Sequence, residues 1–390
     1  MLLNLCIIGL LALILNALLE KIKLPGLLGM LFIGMIMGPN ALDLLDPTLM
    51  EVSMELRKFA LIVILLRAGL GLRKKELNRV GKSAIKMSII PGIFEGFTIL
   101  ALAYYVLDFT FYEAGILGFV IAAVSPAVVV PQMLDLKGKG FGKDKEVPTL
   151  VLAGASLDDV FAITIFSAFL SLYLNESVNL FFQFLEIPIS IAIGVFLGVG
   201  IAIALMVLFQ RMHIRDTKKV FILLAVSILF NHLEDLFWVN SLLGIMTIGL
   251  VLLEYRPKVA NRLASKMNKV WVFAEIILFV LIGAQVDFTV ALKTGAIGFI
   301  IIAIGLIARS IGVSLSLLDS ELNNKERLFC VFSYLPKATV QAAIGAIPLT
   351  MGVAHGEEIL AIAVLSILIT APIGAIAIRK SAPLLLTRDS

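Results

Sequence analysis

The stretch Val147-Pro-Thr-Leu-Val-Leu-Ala-Gly-Ala-Ser-Leu-Asp158-Asp159-Val160, continued by an apolar run to Leu174, puts two adjacent carboxylates where no loop is near. The residues ahead of the pair and those behind it are apolar. A run of this length reads as a helix able to cross a hydrocarbon core of about 30 Å. The pair then lies about eleven residues in, roughly 16 Å deep at 1.5 Å per residue. Ionisable groups at such depth are expensive and imply function by default. The alternative is a helix cap or a loop, and the apolar stretches from Val147 to Leu152 and from Val160 to Leu174 leave no loop nearby.

Working outward, the same character extends over the whole chain. With 60% hydrophobic and 15% charged residues over 390 positions and a mean hydropathy of +1.04, the chain has bilayer for its solvent. Apolar stretches predict an all-α membrane protein of about thirteen transmembrane helices, with spans at 2–20, 24–38, 56–72, 83–107, 113–135, 147–173, 187–209, 219–236, 239–253, 270–286, 294–318, 327–352 and 357–378. Leu2 to Leu19 lacks a basic leader and a cleavage site, so it reads as a retained first helix rather than a signal peptide. Cys6 and Cys330 lie in apolar segments and suggest neither a disulfide nor a metal site. The net charge of +4 comes from membrane-flanking loops, which excludes nucleic acid as a partner.

Those loops alternate in sign. Lys21 and Lys23; Arg73, Lys74, Lys75, Arg79 and Lys82; and Lys137, Lys139, Lys143 and Lys145 open one series. It continues in register through Arg211, Arg215, Lys218 and Lys219, through Arg256, Lys258, Arg262, Lys266 and Lys269, and through Lys325, Arg327, Arg379 and Lys380. The intervening loops are acidic or neutral, holding Asp43, Asp46, Glu51, Asp108, Glu113, Glu176, Glu234, Asp235, Asp287, Glu357 and Glu358, with Arg57, Lys58 and Lys293 as exceptions. Basic short loops stay in the cytoplasm. The expected orientation is N-terminus outside and C-terminus cytoplasmic, with residues 379–390 as a cytoplasmic tail.

Two spans break the helical rule in matching places. The fifth holds Ser125-Pro126-Ala-Val-Val-Val-Pro131, and the twelfth holds Leu335-Pro336-Lys337-Ala-Thr339-Val-Gln341 with Pro348 beyond. Each proline removes a backbone donor and clashes with the preceding turn. The freed groups are tolerable at that depth only when buried in protein or lining a wet cavity. Spans five and twelve are seven apart, an odd number, so equivalent helices run in opposite directions. That is an inverted repeat: repeat one at about 1–174, a linker helix at about 187–209 and repeat two at about 219–378. Corresponding broken helices in inverted halves point to a transport site near the midplane.

Five buried ionisable groups carry the chemistry: Asp158 and Asp159, Glu95 in the fourth span, Arg309 in the eleventh, and Lys337 beside Pro336. Adjacent helical residues point about 100° apart, so one aspartate can face a cavity while the other faces a neighbouring helix. A carboxylate denied water holds either a proton or a hard monovalent cation, and competition between the two is what an antiporter needs. Glu95 and Arg309 lie on repeat-equivalent helices at similar depth, where pairing offsets the cost of burying each alone; the other arrangement pairs Arg309 with Asp158. Lys337 is placed to compensate the carbonyl ends of the broken helices, or else to snorkel toward the cytoplasmic loop. Ser125, Thr339 and Gln341 offer neutral oxygens near the breaks. Glu275 and Arg67 read as interfacial groups, and His213, His232 and His355 lack metal-ligand spacing.

The stretch Ala122-Ala-Val-Ser-Pro-Ala-Val-Val-Val-Pro-Gln-Met133, the motif Gly154-Ala-Ser-Leu-Asp-Asp-Val160, the run Leu335-Pro-Lys-Ala-Thr-Val-Gln-Ala-Ala-Ile-Gly345 and the segment Leu65-Leu-Arg-Ala-Gly-Leu70 resemble the monovalent cation/proton antiporter superfamily. More narrowly they are similar to its Nha-type sodium/proton branch, which includes the animal sodium/hydrogen exchangers of the two-aspartate kind. The resemblance covers roughly residues 55 to 378. It implies an NhaA-like fold with two crossed discontinuous helices and a homodimer. It also implies a dimerisation domain (about 1–72 and 219–286) that holds still while a core domain (about 83–174 and 294–378) moves as an elevator. By the same resemblance Asp159 matches the essential ion-binding aspartate, Asp158 its partner, and Glu95 with Arg309 the charge pair of the animal branch. Many bacterial relatives carry a lysine where this chain has Arg309, and an arginine does not release its proton under ordinary conditions.

The expectation is therefore a sodium (or lithium)/proton antiporter with no cofactor, no resident metal and no enzymatic activity. In it the deprotonated Asp159 takes the ion from the cytoplasm, with Asp158 and broken-helix oxygens completing its shell. A potassium/proton antiporter or another ion-coupled carrier on the same fold is the alternative. An intramembrane aspartyl protease needs carboxylates facing each other across a substrate, which neighbours on one helix cannot do. A channel fits an inverted repeat around a titrating carboxylate less well than alternating access. The lack of a long regulatory tail favours a prokaryotic inner membrane.

Overall fold

The computed structural model describes residues 2–21, 25–71, 74–174, 180–212, 214–232, 241–286 and 288–388. Lys23, Arg73, Glu176, Glu234, Asp235 and Asp287, assigned above to loops, and His213 lie outside the described residues. The described chain is helical, with one isolated bridge between Phe141 and Arg388. In order the helices are α1 (Leu2–Lys21), α2 (Leu27–Met37), α3 (Pro47–Glu51), α4 (Ser53–Gly71), α5 (Lys74–Val106), α6 (Phe111–Ile121), α7 (Pro126–Gly138), α8 (Val147–Leu174) and α9 (Leu180–Arg211). There follow α10 (Asp216–His232), α11 (Ser241–Tyr255), α12 (Pro257–Ala284), α13 (Phe288–Ser316), α14 (Asn324–Ser333), α15 (Thr339–Ile344), α16 (Ile347–Thr350) and α17 (Gly356–Leu385).

Among the described residues, six segments are long and apolar enough to cross a membrane: Gly81–Val106, Val147–Leu174, Ala192–Arg211, Pro257–Ala284, Gly295–Ser316 and Gly356–Leu385. Shorter apolar helices occur at Asn4–Leu19, Leu27–Met37, Phe111–Ile121, Leu243–Tyr255 and Thr339–Thr350. Two of these short pieces belong to the proline-bearing segments, where the backbone leaves the helix at 122–125 and at 334–338. The halves start alike. Thr110 caps α6 by accepting from the Glu113 amide, and the Glu113 carboxylate accepts the Thr110 amide at 2.8 Å. Asn323 and Glu326 do the same for α14, at 3.0 and 2.7 Å. Such reciprocal capping satisfies donors that a helix start otherwise leaves orphaned. Downstream, Pro126 stands in the first turn of α7, where a missing N–H costs nothing.

The chain divides into two compact units. One comprises Met1–Pro47, Arg79–Glu176 and Phe279–Ser390; the other comprises Thr48–Asn78 and Ser177–Leu278. Within the second, α11 packs on both α4 and α9. There Arg67 donates to Asn268 at 2.9 Å and lies 5.1 Å from the centre of the Trp271 ring. The first unit contains the two interrupted segments together with α8, α13 and α17, whose mutual packing builds its core. Its C-terminal stretch is tied down: Gly142 donates to the Thr387 carbonyl at 2.8 Å and the Arg388 guanidinium lies 5.5 Å from the centre of the Phe141 ring. One glycine sets a close approach within this core. Any side-chain carbon on Gly154 of α8 would collide with the Tyr334 hydroxyl, so the aspartate-bearing helix and the second break meet at van der Waals distance only because residue 154 has none.

Candidate functional site

Asp158 and Asp159 follow Gly154 by four and five residues on α8, so Asp158 shares its face. Asp158 is 1% exposed and Asp159 8%. Glu95 on α5, Arg309 on α13 and Lys337 in the second break are all fully buried. Burying charge is tolerable only with pairing and hydrogen bonding, and here both are dense. The Arg309 guanidinium donates through Nη1 to Glu95 Oε2 at 2.7 Å and to the Ala122 carbonyl at 2.5 Å. Through Nη2 it donates to Asp158 Oδ2 at 2.8 Å, and through Nε to the Tyr334 carbonyl at 2.9 Å. The two pairings weighed for Arg309 thus coexist. Its planar fork also lies 5.3 Å from the centre of the Tyr334 ring.

Lys337 directs its ammonium to the same Glu95 oxygen, at 2.5 Å, and its backbone N–H to Thr370 on α17 at 2.8 Å. Asp158 Oδ2 further accepts the Val124 amide, at 2.7 Å, from inside the first break. The breaks also hold each other: Ser125 N–H donates to the Pro336 carbonyl at 2.8 Å, and Thr339 N–H to Ser125 Oγ at 3.4 Å. Gln341 sends its side-chain amide nitrogen back to the end of α6, within 3.2 Å of the Val120 and Ile121 carbonyls and 3.0 Å of that of Ala123. Freed backbone groups at the interruptions are thereby taken up within protein.

Two carboxylates, Glu95 and Asp158, are matched by two cations, Arg309 and Lys337. Asp159 is the remaining carboxylate, and among the described residues no ion pair reaches it; its Oδ1 is buried without a hydrogen bond. Further buried oxygens without a hydrogen bond in the cluster and at the breaks are Asp158 Oδ1, Glu95 Oε1, Thr339 Oγ1, Gln341 Oε1 and the Tyr334 hydroxyl. Acceptor-rich and donor-poor, this group suits a cation better than an anion. No cluster of metal-ligating side chains occurs among the described residues.

The residues singled out in the sequence, Asp158, Asp159, Ser125, Thr339, Glu95, Arg309 and Lys337, all fall in one unit. What sequence reasoning missed is Tyr334, whose carbonyl and ring both serve Arg309, and Thr370, which receives the Lys337 amide. Tyr334 directly precedes Leu335-Pro336, and an aromatic side chain at the edge of a break was the available signal. Elsewhere His355 lies 3.3 Å from Glu113 at the start of α6, away from this cluster in sequence and contacts.

Interrupted apolar helices closing over a buried charge cluster define a class, that of multi-pass membrane transport proteins. A family model described as "Sodium/hydrogen exchanger, transmembrane" matches residues 8–380. Sodium/hydrogen exchanger 9B2 of Homo sapiens is 35% identical over 390 residues, covering 94% of this chain and 70% of that protein. Sodium/hydrogen exchanger 9B1 of Homo sapiens is 30% identical over 363 residues, covering 86% and 67%. The solved structure of the sodium proton antiporter MjNhaP1 from Methanocaldococcus jannaschii at pH 8 superposes with a TM-score of 0.84, at 19% identity, over 98% of this chain and 96% of that one. The chain belongs to the sodium/hydrogen exchanger family.

Proposed function

We propose that the protein exchanges cytoplasmic Na⁺, or Li⁺, for external H⁺, with Asp159 carrying one ion or the other. The observation that carries this reading is the charge balance of the cluster. Glu95 and Asp158 have cationic partners, and among the described residues Asp159 has none. A withdrawn carboxylate without a counter-cation takes up a proton or a small alkali ion, one at a time, because either neutralises it. Asp158 is held by Arg309 and Val124 through one oxygen, and its free Oδ1, with the Ser125 and Thr339 hydroxyls, completes the cation's shell. Arg309, Glu95 and Lys337 form the rigid charge frame that fixes this geometry, Lys337 also offsetting the dipole ends at the breaks.

In this reading the chain crosses the inner membrane thirteen times as inverted repeats, with the N-terminus outside. Residues of about 83–174 and 294–378 form a core that moves as an elevator against a dimerisation domain of about 1–72 and 219–286, joined by a linker helix at about 187–209. Support comes from the mutual hydrogen bonding of the two interruptions, expected where broken helices of two halves meet, from the alternating loop charges, and from the kinship with sodium/hydrogen exchangers. Asp159→Asn in proteoliposomes tests it: the protein should assemble while exchange disappears. Sustained sodium-dependent proton flux in that variant would refute the assignment. Repeating the wild-type measurement with Na⁺, Li⁺ and K⁺ across a pH series identifies the cation.

A further inference from the structure

At the C-terminal end of a helix the last carbonyls lack intrahelical donors. In transporters with discontinuous helices, such half-helix ends and unwound carbonyls are the groups that coordinate transported cations. The end of α6 is built differently. The carbonyls of Val120, Ile121 and Ala123 face the Gln341 amide nitrogen, and that of Ala122 accepts from Arg309. Four consecutive carbonyls are thus turned to side-chain donors arriving from α15 and α13. Three acceptors around one nitrogen also fix which end of the amide is which. Its oxygen, Oε1, is left as a buried acceptor without a donor.

We propose that Gln341 is a specificity-determining residue of the exchange site: its amide occupies the Val120, Ile121 and Ala123 carbonyls at the end of α6, so these neutral main-chain oxygens are withheld from the transported cation. The inference rests on the exchange reading above and adds a cause for the choice of ion. Neutral carbonyl oxygens in number are the ligands that replace the hydration shell of K⁺ in selective pores. A site from which the carbonyls at the end of α6 are withheld, and which is furnished with Asp158, Asp159 and Thr339, presents fewer neutral oxygens against its carboxylates, which favours the smaller alkali ions. Gln341 acts here as a positioning residue, through the carbonyls it occupies.

Gln341→Met keeps length and apolar volume and removes both N–H donors. In proteoliposomes at fixed pH, KM for Na⁺ and KM for K⁺ are measured for wild type, Gln341→Met and Asp159→Asn. The expected result is a fall of about five- to tenfold in the ratio of the K⁺ to the Na⁺ constant for Gln341→Met, the order of effect of losing buried hydrogen bonds. A merely structural role would lower Vmax or yield and move both constants together. A ratio changed by less than about twofold, or a wild type that already takes K⁺ as readily as Na⁺, overturns the proposal. Gln341→Asn, whose shorter amide reaches fewer of the three carbonyls, is the second variant should the first fail to assemble; it must shift the ratio the same way by less. Loss of exchange in Asp159→Asn alongside an unchanged ratio sinks this inference alone, whereas exchange persisting in Asp159→Asn sinks the reading beneath it.

Discussion

Glu95 receives both buried cations on a single oxygen, Oε2, with Arg309 at 2.7 Å and Lys337 at 2.5 Å. Truncating either member of the Glu95–Arg309 pair strands a charge in a dry interior, which typically costs about 3–5 kcal/mol. Thermal unfolding in detergent should therefore show Glu95→Gln and Arg309→Gln each strongly destabilised and the double variant less so than their sum, by about 1–3 kcal/mol. Strictly additive losses would show that the two side chains act independently. The identities of these charges and their burial were legible in the sequence, because a charged residue in an apolar run stands out. Which acceptor each cation finds was not legible. That depends on helix rotation and rotamer, so the fourfold engagement of Arg309 and the sharing of Glu95 had to be seen in three dimensions.

The halves of the interrupted segments behave as separate short helices, and each depends on its start. Thr110→Ala removes the side-chain acceptor for the Glu113 amide and a hydroxyl bonded to the Glu113 carboxylate at 2.8 Å. A cost of about 1 kcal/mol is expected, read as a lowered melting temperature; no change would mean that tertiary packing alone holds α6. At the contact of α8 with the second break, Gly154→Ala places a methyl group where the Tyr334 hydroxyl lies. Overpacking of this kind costs about 1–3 kcal/mol. Tyr334→Phe removes the obstructing oxygen, so the double variant should recover much of that loss in the same melting assay. Failure of rescue would locate the strain elsewhere on α8. The prolines announced both interruptions, since Pro126 and Pro336 cannot continue a helix. Their outcome differs in detail from two kinked spans: α14 ends at Ser333, and α15 restarts only at Thr339. That extended backbone is stabilised by partners on other helices, which no local pattern encodes.

At the scale of the molecule, the alternation of basic and acidic loops makes a sidedness prediction. In a background without the exposed Cys6, Lys143→Cys should react with impermeant maleimide only from the cytoplasm and Glu357→Cys only from outside; both positions are solvent-exposed. Labelling of both from one face would break the assigned orientation. A second consequence comes from the matched charges around Arg309. Carrying one elementary charge across a membrane under 100 mV involves about 2.3 kcal/mol of electrical work. The frame of Glu95, Asp158, Arg309 and Lys337 sums to zero, and on the proposed reading Asp159 becomes neutral with either occupant. Such an assembly has no handle for the field to pull on in its loaded forms. Turnover should then keep the same speed whether vesicles are polarised or short-circuited with an ionophore, and the concentration gradients of the two ions would be its sole source of drive.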